Sequence, residues 1–190
     1  MLRHLPNAIT VLRILLVIPL GWAIMREHQL LALLLAAVAG ASDALDGWLA
    51  RRFHWQSRLG AWLDPAADKL MLATGFVGLS VIGATPWWLT LLVLGRDVVI
   101  VAGALAYHWL KERLVVAPSR ISKWNTVLQI GWVVLVLFSL QGLLKLDLAP
   151  LVWVVAASTL ISGIDYVVRF ASKARKLGNR RQMHEGRSLD

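Results

Sequence analysis

Long apolar stretches separated by short polar intervals organise the chain. Windows of about 20 residues, the length whose helical rise crosses a hydrocarbon core of roughly 30 Å, place six of them at approximately 6–25, 30–51, 63–83, 87–110, 122–142 and 149–170. The pattern predicts an all-α integral membrane protein, a bundle of six transmembrane helices. The connections are too short for a separate soluble domain. A cleaved signal peptide is the competing reading of the first stretch. Its charged, proline-containing start, Arg13 inside the run and the lack of a small-residue cleavage site argue against that.

Composition agrees with the pattern: of 190 residues, 58% are hydrophobic and 16% charged, outside the usual balance of a soluble domain. The net charge of +9 raises nucleic acid as a partner, but the positions of the basic residues argue for topology instead. With the N-terminus inside, Arg3, the Arg51, Arg52 and Arg58 group, Lys111, Arg113, Arg120, Lys123 and the tail from Arg169 to Arg187 fall on one side, and only Arg26 and Lys145 on the other. The positive-inside rule then puts both termini in the cytoplasm, and the basic face attracts anionic lipid headgroups. Trp87 and Trp88 at the start of the fourth span and Trp109 at its end suit interfacial belts better than base stacking. No cysteine is present, so disulfides and thiolate metal sites are ruled out. Residues 171–190 read as a basic cytoplasmic tail, solvated or disordered.

One stretch resists this apolar setting. "SDALDGWLARRFHWQSRLGAWLDPAADK", residues 42–69, carries Asp43, Asp46, Asp64 and Asp68. An aspartate within a bilayer costs about 2.5–3.5 kcal/mol on insertion scales, so such residues are functional candidates by default. Asp43, Asp46, Gly47 and Ala50 fall on one helical stripe; Gly60, Asp64 and Asp68 make a second if the helix reaches back that far. Pro65 suits a helix start with Asp64 as cap, or a kink, and either leaves Asp68 one to one and a half turns inside. Four uncompensated carboxylates would repel one another. Two ions of Mg²⁺ or Mn²⁺ relieve that, because hard cations prefer carboxylate oxygen and no sulfur or histidine stands nearby to favour zinc. Open water positions on such ions usually meet substrate phosphates. The small Gly47, Ala50 and Gly60 leave room beside the backbone, and Arg51 and Arg58 can pair with phosphate oxygens. The bland alternative is ion-paired glue within the bundle, or a relay as in a transporter.

The spacing Asp43-x2-Asp46-Gly47-x2-Ala50-Arg51-x8-Gly60-x3-Asp64-x3-Asp68 resembles, without departure, the signature of the CDP-alcohol phosphatidyltransferases, membrane enzymes of six transmembrane helices that usually form homodimers. The resemblance covers residues 1–170. "LPNAITVLR" (5–13) is similar to the first-helix motif of the phosphatidylglycerophosphate synthase and cardiolipin synthase branches, and "ISGIDY" (161–166) to their last helix. The resemblance implies that Asp43, Asp46 and Asp64 hold two metal ions, with Asp68 near them as general base on the acceptor hydroxyl. It implies that Gly47, Ala50, Arg51 and Gly60 line the CDP pocket, with Asn7 and Thr10 offering further contacts. A metal-clamped diphosphate has an activated bridging oxygen, and in-line attack on the lipid-side phosphorus releases CMP. Asp68 must take a proton beside metal charge, so weak or indirect metal contact is expected of it. The expected location is the bacterial inner membrane, with the site facing the cytoplasm.

Arg96, Lys123 and Arg120 are the candidates for an anionic acceptor headgroup. Arg96 lies near the middle of the fourth span and is expected to point inward, with Asp97 unable to face the same way. Its alternative is an internal pair with Asp165 or an aspartate of the cluster. Asp165 reads as structural, Tyr107 and His108 as interfacial, and His54 as a loop residue. Arg96-Asp97 and "SKWNT" (122–126) look more like cardiolipin synthases, whose acceptor is phosphatidylglycerol, while the first and last helices suit a phosphatidylglycerophosphate synthase equally. Glycerol 3-phosphate is placed first as acceptor and phosphatidylglycerol second. An intramembrane prenyltransferase would need a second aspartate motif and more spans.

Overall fold

A computed structural model of the protein describes residues 5–53, 60–109, 119–143 and 147–186. These residues form an all-α fold of six helices, α1 (Leu5–Met25), α2 (Gln29–Phe53), α3 (Gly60–Val81), α4 (Trp87–Trp109), α5 (Arg120–Leu140) and α6 (Ala149–Gly186). Each coincides with one of the apolar stretches, with two differences of length. α6 carries on through Gly186, so the residues read as a solvated or disordered tail are helical that far. α3 starts at Gly60, so Asp64 is not its cap and Pro65 lies inside it. Asp68 consequently stands roughly two turns into the helix, deeper than the sequence suggested.

Polar residues enter the core and apolar residues line much of the surface. Thr10, Arg13, Thr90, Arg96, Asn125, Gln129, Thr159 and Ser162 are buried, whereas Leu15, Ile18, Trp124, Trp153, Ile164 and Val168 are more than half exposed. In water, apolar faces of that extent on so many helices would drive aggregation; in lipid they are the solvated surface, and polar groups withdraw inward. Among the described residues, α5 and residues 149–172 of α6 are long and apolar enough to cross a membrane. The protein is helical and membrane-associated.

The chain divides into two compact units. One comprises residues 1–91 and 129–152. Within it α1 packs against both α2 and α3. α1 and α3 run parallel in a nearly constant register: Thr10 meets Asp64 and Arg13 meets Asp68, while farther along Gly21 meets Thr74 and Ile24 meets Gly78. A Cβ on Gly78 would stand 2.9 Å from Ile24 Cγ2, so the absent side chain is what permits this approach. Parallel α1 and α3 require α2 to return between them. α3 ends in a turn where Gly83, at φ 75°, donates to Ser80 O and Ala84 donates to Leu79 O. This left-handed cap satisfies the last carbonyls. Trp132 Nε1 donates to Thr85 Oγ1 in that turn at 3.1 Å, tying the C-terminal part of α5 to it.

The other unit comprises residues 92–128 and 153–190. Here Tyr166 on α6 donates its hydroxyl to the Ile100 carbonyl of α4 at 3.0 Å. A Cβ on Gly103 would lie 2.6 Å from that hydroxyl. Asn125 on α5 accepts from Ser158 at 2.8 Å and Thr159 at 3.0 Å on α6.

Candidate active site

Gly60, Asp64 and Asp68 recur every four residues on α3 and share a stripe. Two carboxylates at that spacing repel each other, and α1 supplies the compensation from the parallel seam. Thr10, fully buried, donates its hydroxyl to Asp64 Oδ1 at 2.5 Å. Three residues on, Arg13 donates Nη1 to Asp68 Oδ1 at 3.0 Å; the arginine side chain is 1% exposed and the aspartate side chain 50%. A neutral donor thus reaches Asp64, and a cationic one reaches Asp68. Asp68 keeps an accessible surface while its partner is sealed inside.

The structure brings Thr10 and Asp64 together, as well as Asp68 and a residue that sequence reasoning assigned no role, Arg13. The signal for it was present: a guanidinium inside an apolar run, one turn beyond Thr10 and closing the "LPNAITVLR" motif. Thr10, expected as a CDP contact, donates its hydroxyl to the Asp64 carboxylate. Asn7, Asp43, Asp46, Gly47, Ala50 and Arg51 lie on α1 and α2, and Gly60 opens α3, but their side-chain surroundings lie outside the described residues. Arg58 and His54 also lie outside the described residues, as do the surroundings of Tyr107 and His108. No three histidine or acidic side chains gather at one point among the described residues. Asp64 and Asp68 by themselves offer hard oxygen ligands of the kind Mg²⁺ and Mn²⁺ take, so the donor chemistry fits such an ion.

In the second unit Arg96 points inward, as expected, and is 7% exposed. Nη1 donates to Asp97 Oδ1 at 2.7 Å, and Nη2 donates to Ser122 Oγ at 2.5 Å and Ser162 Oγ at 2.6 Å. The expectation that Asp97 cannot face its neighbour is thus corrected. Side chains at i and i+1 leave a helix about 100° apart, but the three-methylene arginine stem curls far enough to close the gap. Lys123 and Arg120 are exposed in the first turn of α5. Asp165 accepts from Arg169 Nε one turn away at 2.7 Å, a local pair consistent with a structural residue.

The sequence profile of the CDP-alcohol phosphatidyltransferases matches residues 3–165, and the chain belongs to that family. It lies in the branch of phosphatidylglycerophosphate and cardiolipin synthases. A Mycobacterium tuberculosis protein named probable phosphatidylglycerophosphate synthase is 33% identical over 189 residues, covering 95% of this chain and 87% of its own. A CDP-diacylglycerol–glycerol-3-phosphate 3-phosphatidyltransferase of Pseudomonas fluorescens is 41% identical over 57% of each chain. A human cardiolipin synthase (CMP-forming) is 35% identical over 63% of this chain and 39% of its own. The protein is accordingly an enzyme of phospholipid biosynthesis that transfers a phosphatidyl group from CDP-diacylglycerol to a glycerol-type acceptor. Divalent-cation-dependent phosphotransfer is the chemistry of the family.

Proposed function

We propose that the protein is a phosphatidylglycerophosphate synthase, with glycerol 3-phosphate as acceptor and CMP as leaving group. The similarity along almost the whole length of both chains to the mycobacterial protein of that name carries this choice. Cardiolipin synthesis from phosphatidylglycerol is the second reading, favoured by Arg96-Asp97, by "SKWNT" and by the human relative. Six transmembrane spans with both termini in the cytoplasm follow from the charge distribution, and the parallel course of α1 and α3 fits such an alternation. We place the enzyme in a bacterial inner membrane as a homodimer, with the site facing the cytoplasm.

Asp43, Asp46 and Asp64, with Asp68 at the margin, hold two Mg²⁺ or Mn²⁺ ions, which neutralise the diphosphate and activate its bridging oxygen when bound. Gly47, Ala50, Arg51 and Gly60 admit the cytidine diphosphate, with Asn7 and Thr10 at its edge. Asp68 takes the proton of the acceptor hydroxyl; its half-exposed carboxylate supports this role. Lys123 and Arg120, exposed at the start of α5, attract the acceptor phosphate, and Arg96 orders the helices behind them or joins them through a changed rotamer. The test is purified enzyme with CDP-diacylglycerol and Mg²⁺, offered glycerol 3-phosphate or phosphatidylglycerol separately while CMP and lipid products are followed. Phosphatidylglycerophosphate supports the first reading and cardiolipin the second; CMP from neither acceptor refutes both. In the same assay Asp68→Asn abolishes turnover while CDP-diacylglycerol still binds.

A further inference from the structure

We infer that α1 divides the labour of the two α3 aspartates, and that Arg13 is the residue positioning Asp68 for proton transfer. This rests on the reading of Asp68 as general base. Both carboxylates sit on one stripe of one helix, one turn apart, so their own helix does little to distinguish them. Their partners on α1 do. Thr10 gives Asp64 a neutral hydroxyl at 2.5 Å, which orients the carboxylate without adding a positive charge. Arg13 gives Asp68 Oδ1 a guanidinium at 3.0 Å, which offsets part of that charge and leaves metal contact there weak or indirect.

The Arg13 side chain is 1% exposed and faces Asp68. It works through Asp68. Arg13 Nη1 pins Asp68 Oδ1 at 3.0 Å, and where that oxygen is pinned decides where the other oxygen of the carboxylate points. Misplacing a reacting group by about 1 Å costs roughly 100-fold in rate.

The test uses full-length enzyme in detergent and reads kcat, KM for both substrates, Tm, and Mn²⁺ affinity by electron paramagnetic resonance. Arg13→Gln is expected to lower kcat about 100-fold, with KM and Mn²⁺ affinity within about threefold of the original protein. A purely structural arginine, or one serving the metal ligands, would weaken Mn²⁺ binding along with kcat, and that outcome overturns the inference. So does a kcat within threefold of the original. Arg13→Lys, retaining the charge on a shorter side chain, is expected to recover part of the loss. Should Arg13→Gln fail to fold, Arg13→Lys decides: a fall of fivefold or more in kcat at unchanged Tm and Mn²⁺ affinity supports positioning, and unchanged kcat refutes it. Asp68→Asn runs in parallel. Original turnover there removes the base reading itself, whereas an inactive Asp68→Asn beside a fully active Arg13→Gln removes only the role of Arg13.

Discussion

Replacing Thr10 with valine keeps the shape of the side chain and removes one hydroxyl. Thr10 is 1% exposed and its hydroxyl reaches Asp64 Oδ1 at 2.5 Å. Hydrogen bonds to charged groups contribute about 1.5–3 kcal/mol, and at 1.36 kcal/mol per decade their loss corresponds to roughly 10- to 150-fold in an equilibrium that depends on the carboxylate's orientation. Residues that hold metal ligands in place cost about 10–100-fold in metal affinity when removed, an independent estimate of the same size. Thr10→Val should therefore raise the Mg²⁺ concentration for half-maximal turnover, and weaken Mn²⁺ binding measured without substrate, by about 10–100-fold. Turnover at saturating metal should stay within about threefold, and Thr10→Ser should behave as the original. A Thr10 that contacts CDP instead would raise KM for CDP-diacylglycerol and leave metal affinity alone. That result would refute the assignment of its hydroxyl to Asp64.

Three further outcomes follow from the second unit. Gly103→Ala places a methyl group 2.6 Å from the Tyr166 hydroxyl; overpacking of this kind costs about 1–3 kcal/mol, read as a lower Tm in detergent, and Tyr166→Phe should relieve part of it. An additive loss in the double variant would contradict a direct clash. Asp97→Ala strips the carboxylate from buried Arg96, and breaking a buried pair costs about 3–5 kcal/mol; unaltered thermal stability would show that Ser122 and Ser162 suffice to hold the guanidinium. Asp165→Asn removes a pair with half-exposed Arg169 and alters a hydrogen bond with Ser119; pairs of that exposure contribute little, so kcat should remain within about twofold and a larger loss would move Asp165 into the site.

The helices were legible because a hydrophobic run of spanning length admits little else than a helix, and the aspartates stood out because each is costly where it sits. Neither signal reports on partners between helices. Arg13 entered only as the last residue of a motif and a charge inside an apolar stretch, and Thr10 only as a CDP contact. Their role appears only once α1 and α3 lie parallel in register, and that register is set partly at the far end of the seam, where Gly21 and Gly78 let the helices close. Arg96 teaches the complementary lesson. Counting angles around a helix separates it from Asp97, but a long side chain in a medium without water reaches for whatever charge is near, and Asp97 lies only 2.7 Å away. Periodicity thus locates the positions at which a membrane helix carries polar chemistry, while the length and donor geometry of each side chain decide which neighbour it serves. For α1 that decision falls on the two aspartates of α3. The first helix thereby supplies hydrogen-bond partners to both aspartates of the third.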